Sequence, residues 1–181
     1  MNDDALKRSA AARAMLQDGA PEIVQAVRAQ GRGLAKTERA VLEILYGARL
    51  RVTAVTATSL ASSASLSAVT WTEVEQDTYD MWDVSAPTEI IARVPGSYMM
   101  GAGIHFAAAA GGRRGLSIRL NAAAVPGLYQ TVAGTSDGVV RLSVHGYVTG
   151  VQSDDIISVG VFQNSGGPID ISSAAFWIMK M

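Results

Sequence analysis

Gly134-Thr-Ser136-Asp-Gly138 has the residue types of a catalytic device, because Gly-x-Ser-x-Gly can hold a serine under strain between a strand and a helix. Val139 and Val140 follow at once, so the chain returns to a strand and a hairpin loop is the favoured reading. His105 and His145 have no neighbouring residues that would complete a base and its orienting acid, and they form no His-x-x-x-His pair. A surface or interface histidine is the simpler reading, although three-fold repetition would gather three copies that could hold an ion. Asp154-Asp155 is only a fragment of a calcium site and reads better as a turn. No catalytic residue, metal ligand or cofactor site is expected.

Binding is the other chemistry open to these residues. Trp71, Tyr79, Met81 and Trp82 are interspersed with Glu73, Glu75, Asp77, Asp80 and Asp83, a mixture that could stack on sugars and bond their hydroxyls. Burial in a core or across a subunit interface is favoured, because aromatic side chains remove large areas from water there. Alternation of Trp71, Glu73 and Glu75 with Thr72, Val74 and Gln76 predicts a half-buried strand. Arg113-Arg114 stands in a glycine-rich stretch and reads as a solvated loop tip; no nucleic-acid motif accompanies it. Candidates for a subunit interface or a ligand contact are therefore Trp71, Trp82, Tyr147 and Trp177 among the aromatics. His105, His145, Arg113 and Arg114 join them among the basic residues.

The elements that must position these side chains come from a chain of 181 residues, 49% hydrophobic and without cysteine. That length supports one sizeable core plus an appendage, and neither a disulfide framework nor a cysteine-ligated zinc is possible. No apolar run approaches the ~18 residues that would suggest a membrane span, and the acidic start is unlike a secretory signal. Residues 1–51 hold nine Lys/Arg against six Asp/Glu, whereas the remainder holds six against ten. Such an imbalance is usually a solvated face, though the helical end could also sit on an acidic partner.

Helix formers run from Asp3 to Gln17, a second short helix is expected from Pro21, and Thr37 can cap a third that ends before Gly47. Three short helices cannot bury their apolar faces alone, so residues 1–51 are expected to dock as an anchor. Residues 52–68, rich in Ser, Ala and Thr, read as a linker or extended arm. From Val69 the period changes to two: Tyr98, Met100, Ala102, Ile104 and Phe106 form one apolar column. Columns at Leu116–Leu120, Val140–Val148, Ile157–Val161 and Phe176–Ile178 repeat the pattern. Pro95-Gly96, Gly111-Gly112, Pro126-Gly127, Asp137-Gly138, Asp154-Asp155 and Gly166-Gly167-Pro168 are expected to separate the strands. An antiparallel β-sandwich over residues 69–181 follows.

Within that span, Pro95-Gly-Ser-Tyr98 opens a long apolar strand, and Leu116-Ser-Ile-Arg-Leu-Asn121 ends in a turn. Val140-Arg-Leu-Ser-Val-His-Gly-Tyr-Val-Thr149, Ser153-Asp-Asp-Ile156, Val161-Phe-Gln-Asn-Ser-Gly-Gly167 and Phe176-Trp-Ile-Met-Lys180 follow in order. This succession resembles the C1q-like globular head, a jelly roll of the tumour necrosis factor superfamily. Two turns depart from the family pattern, with Asn121-Ala122 in place of Asn-Gly and Ser153-Asp154 in place of Gly-Asp. The resemblance implies a homotrimer with an N-terminal stalk or anchor, as on bacteriophage virion proteins. The expectation is a non-enzymatic virion component, made in the host cytoplasm and attached through residues 1–51 to another protein of the capsid, neck or tail. The head would project as a decoration, fibre or spike. A receptor-binding head recognising a host-surface glycan is the alternative; neither nucleic acid nor membrane is an expected partner.

Overall fold

In the computed structural model, residues 47–54 and 58–181 are described. They form eleven strands: β1 (Arg49–Ala54), β2 (Thr58–Leu60), β3 (Ser63–Ala68), β4 (Glu73–Asp77), β5 (Ile90–Ile91), β6 (Gly96–Phe106), β7 (Arg113–Leu120), β8 (Ala123–Ala133), β9 (Val140–Val151), β10 (Ile156–Gln163) and β11 (Ile169–Lys180). Every pairing between them is antiparallel. One sheet runs β4-β1-β11-β6-β9 with β2 also on β11; the other runs β3-β10-β7-β8 with β5 also on β10. The three helices expected ahead of Gly47 lie outside the described residues.

Period-two alternation builds the core as expected. Tyr98, Met100, Ala102, Ile104 and Phe106 of β6 are buried, as are Val140, Leu142, Val144 and Val148 of β9 and Ile157, Val159 and Val161 of β10. Each large side chain so buried contributes roughly 1.5–3 kcal/mol of transfer free energy. Gly146 continues the inward row of β9, and Leu128 fills the space beside it. Asn121 and Ala122 both adopt positive φ, at 49° and 67°, joining Leu120 to Ala123. Both central residues of this two-residue turn thus sit in the left-handed region, with alanine where glycine would be unstrained.

Three expectations are corrected. First, the sandwich begins at Arg49, so residues 49–51 are strand rather than helical anchor, and within the segment read as a linker or extended arm residues 52–54, 58–60 and 63–68 are paired, extended strand rather than a loose linker. Leu50, Val52 and Ala54 of β1 are buried, while the mostly exposed β3 has no apolar face. Pairing of Ala68 with Gly160 and of Ser67 with Val161 holds β3 in place, and backbone pairing has no signature in hydrophobic periodicity. Second, Pro126-Gly127 lies within β8, beside a register shift against β7. Gly127 at φ 80° supplies the irregular backbone there. Third, β4 is exposed along almost its whole length, because it pairs only with β1 at the margin of its sheet.

The two ends of the sandwich differ. At one, Lys180 N–H donates to Ala48 carbonyl at 2.8 Å, Met181 N–H donates to Ser97 carbonyl at 2.9 Å, and Ala92 N–H donates to Asp155 carbonyl at 2.9 Å. The chain enters β1 and leaves β11 at this end. The connections β6–β7, β8–β9 and β10–β11 lie at the other, where Gly134 N–H meets Gly112 carbonyl at 3.0 Å and Asn164 N–H meets Arg113 carbonyl at 3.2 Å.

Candidate functional site

The structure divides the candidate residues into those consumed by the fold and those left on its surface. Trp71 is 1% exposed, with its ring centroid 6.2 Å from that of Phe176 between the sheets; it is core, and sugar stacking there is excluded. Trp82 is half-buried and donates its indole N–H to Pro87 carbonyl at 3.4 Å. The carboxylates around it have local duties. Asp77 accepts the backbone N–H groups of Tyr79, Met81 and Trp82. Asp83 accepts that of Ser85 at 2.7 Å, and bonding from Ser85 holds its pKa below the usual carboxylate range. This segment is a hydrogen-bonded loop rather than a sugar platform.

Arg114 is fully buried, which corrects its reading as a solvated tip. Leu116 and Ile118 point inward from β7, and the parity of the strand sends Arg114 the same way. Its guanidinium donates to the carbonyls of Ala109 at 2.8 Å, Gly111 at 3.1 Å and Arg113 at 3.3 Å, and burial pushes its pKa down. Arg113 stays exposed, with its backbone N–H donating to the Asn164 side-chain oxygen. The connecting loops are therefore laced together. Buried Gln163 adds to this by donating to the carbonyls of Leu60 and Gly167 and by accepting both N–H and O–H of Ser165.

Neither sequence motif gains a chemical partner set. The stretch Gly134–Gly138 lies between β8 and β9 without the helix that an elbow requires, and Ser136 hydroxyl donates to Asp137. Asp155 accepts Asn121 amide at 2.7 Å and Gln152 N–H at 2.7 Å, bonds that lower its pKa. Asp154 lies 3.6 Å from Arg93. No group of three or more His, Cys, Asp or Glu positioned to hold a metal occurs among the described residues.

What the fold does bring together is His105, His145, Tyr147 and Trp177, all on the outer face of the six-stranded sheet. Register arranges this face in rows across the strands. Arg49, Met179, Met99 and Tyr147 form one; Arg51, Trp177, Gly101 and His145 form the next. Glu73, Thr53, Ala175, Gly103 and Ser143 follow, and then Ser173, His105 and Arg141. Trp177 lies across Gly101, where an added Cβ would stand 2.7 Å from the indole. Even so, Trp177 and Met99 remain 36% exposed and Tyr147 56% exposed. Beside them, Gly103 has almost nothing near its Cβ position. Large apolar side chains next to an open hollow of small residues fit association better than catalysis. Met99 was missed as a site residue, although its place in the column opposite Met100 signals it.

No protein-family model matches the chain, and no curated protein matches it in sequence. Solved structures do match. The globular domain of zebrafish complement 1qA protein aligns with TM-score 0.58 at 14% identity, covering 74% of this chain and 97% of that one. Murine APRIL aligns with TM-score 0.51 at 14% identity, covering 73% and 98%. The described residues thus have the jelly-roll fold of C1q and tumour necrosis factor-like heads.

Proposed function

We propose that the protein is a homotrimeric structural component of a bacteriophage virion. Three sandwiches associate through the outer face of the six-stranded sheet, and the segment ahead of β1 attaches to another protein of the capsid, neck or tail. The observation that carries this reading is the exposure of Trp177, Met99 and Tyr147 together on that one face. Leaving such a patch in water forgoes about 25 cal/mol for each Å² that a partner would cover. The C1q-like fold supports three copies, and the N-terminal sequence with its helical pattern supports attachment. Chain entry at one end of the sandwich and laced loops at the other suit a head that projects as a decoration, fibre or spike. No catalytic step belongs to this role.

Light scattering after size exclusion tests the assembly on the full chain. A mass of three chains is expected for the wild type, and a smaller mass for Trp177→Asp combined with Tyr147→Asp, whose buried charges would be unpaired. A monomeric wild type would overturn the reading; a variant that stays trimeric would move the interface to another surface. For the virion role, deletion of residues 1–46 is expected to keep the trimer and abolish incorporation into particles.

The laced loops favour a second reading, a receptor-binding head that meets a host-surface glycan. Preorganised polar loops lose little entropy on binding. Absence of any signal on a glycan array at high protein concentration would set this reading aside.

A further inference from the structure

The margins of the open sheet carry opposite charge. Strand β4 has Glu73, Glu75 and Asp77 and no cation, whereas β9 has Arg141 and His145 and no carboxylate. Glu75 is engaged by Arg51 at 3.0 Å, and Asp77 is held by backbone N–H groups. Glu73 and Arg141 are exposed, and neither side chain has an ion partner among the described residues. They stand in adjacent rows of the face, about 7 Å apart in height for two residues of strand.

We infer that the copies associate head to tail, with the β9 margin of one against the β4 margin of the next, so that Arg141 pairs with Glu73 across each interface. This rests on the trimer reading and specifies its contacts. A rotation axis running along the strands keeps each row at its own height, and the length of an arginine side chain spans the remaining step. The rows beyond are consistent: in the next one the β4 margin offers neutral Gln76 at the height of His145, with Arg51 already engaged by Glu75, and one row further Arg49 shares its height with Tyr147 and would approach an aromatic face rather than another cation. A two-fold pairing of β9 with itself would instead place Arg141, His145 and the adjacent His105 against their own copies. Opposite margins that fit each other make a heterologous contact, the kind that closes into a ring.

Charge reversal tests the pairing on the full chain. Arg141→Glu and Glu73→Arg each set like charges together, and each is expected to shift the trimer's dissociation midpoint at least about tenfold towards higher concentration. The double variant Arg141→Glu/Glu73→Arg restores the pair with its sign exchanged and is expected to return to within about threefold of wild type. Both sites are exposed, so circular dichroism should show all four proteins equally folded. A trimeric wild type whose single variants associate normally, or whose double variant gains nothing over the singles, would overturn the pairing and leave the trimer standing. A monomeric wild type would overturn both.

Discussion

The outer faces of the two sheets solve one problem in opposite ways. On the five-stranded sheet, Phe162 covers Gly115 so closely that an added Cβ would sit 1.8 Å from its ring, and Leu66 lies 3.3 Å from the Cβ position of Gly160. Phe162 and Leu66 are both half-buried there, while Tyr129 of β8 and Ile156 of β10 stay exposed at separate places on this sheet, 49% and 37%. On the six-stranded sheet, Trp177 covers Gly101 in the same cross-strand manner, yet it, Met99 and Tyr147 keep much of their surface in water. Aromatic–glycine pairing repairs a strand locally on both sheets. What distinguishes the six-stranded sheet is that its exposed apolar groups lie in adjacent rows of one face, beside the open position at Gly103, and the association reading rests on that clustering.

The sharpest way to break this contrast is to place one substitution on both faces. Gly115→Val drives a branched side chain into Phe162 and is expected to cost about 3 kcal/mol of stability, as overpacking does. Gly103→Val meets only Leu142 carbonyl, at 3.9 Å, so it should leave the isolated fold unchanged or slightly firmer while filling the hollow a partner needs. Urea unfolding at low protein concentration reads the first effect, and light scattering reads the second. Equal destabilisation by both would mean that the faces do not differ. A smaller effect is expected from truncation. Phe162→Ala should cost about 2 kcal/mol, less than for a fully buried ring. Trp177→Ala should cost under about 1 kcal/mol in the monomer and weaken assembly instead.

Much of this contrast was legible in the sequence, and the rest was hidden for identifiable reasons. The long column from Tyr98 to Phe106 announces its strand, and the same alternation places His105 and Tyr147 on outward faces. Trp71 stands between Thr70 and Thr72 whereas Trp177 stands in the apolar run Phe176-Trp-Ile-Met179, so local context points the wrong way for both; only the second sheet, closing over Trp71 and Phe176, decides which is core. Strand β3 could not be recognised from periodicity because its partner β10 supplies the pairing. Arg114 was readable in principle: counting back by two from Ile118 and Leu116 sends it inward, and the adjoining Arg113 and glycines obscured that parity. The open hollow at Gly103 needs three strands in register before it exists.

The five-stranded sheet should also respond to changes that the open face ignores. Ala122 occupies positive φ at 67°, so Ala122→Gly removes strain and is expected to stabilise by up to about 1 kcal/mol. The gain should be the same at every protein concentration, because the turn lies outside the open face. A gain that grew with concentration would place this turn in an interface.

The smallest expected effect concerns Asp155, which ties the β7–β8 turn to the β9–β10 turn through Asn121 and Gln152. Those bonds favour the carboxylate and lower its pKa from the ordinary 3.8. A depressed acid contributes stability that is fully present above its unfolded pKa and is lost as pH falls through the folded value. Thermal stability should therefore be insensitive to this tie near neutrality and decline below about pH 4. Solvent screening keeps the loss small. Asp155→Asn should remove that part of the acid dependence at all protein concentrations alike. If the decline in the wild type instead steepened on dilution, acid would be acting on assembly, and the titrating groups would have to be sought on the open face.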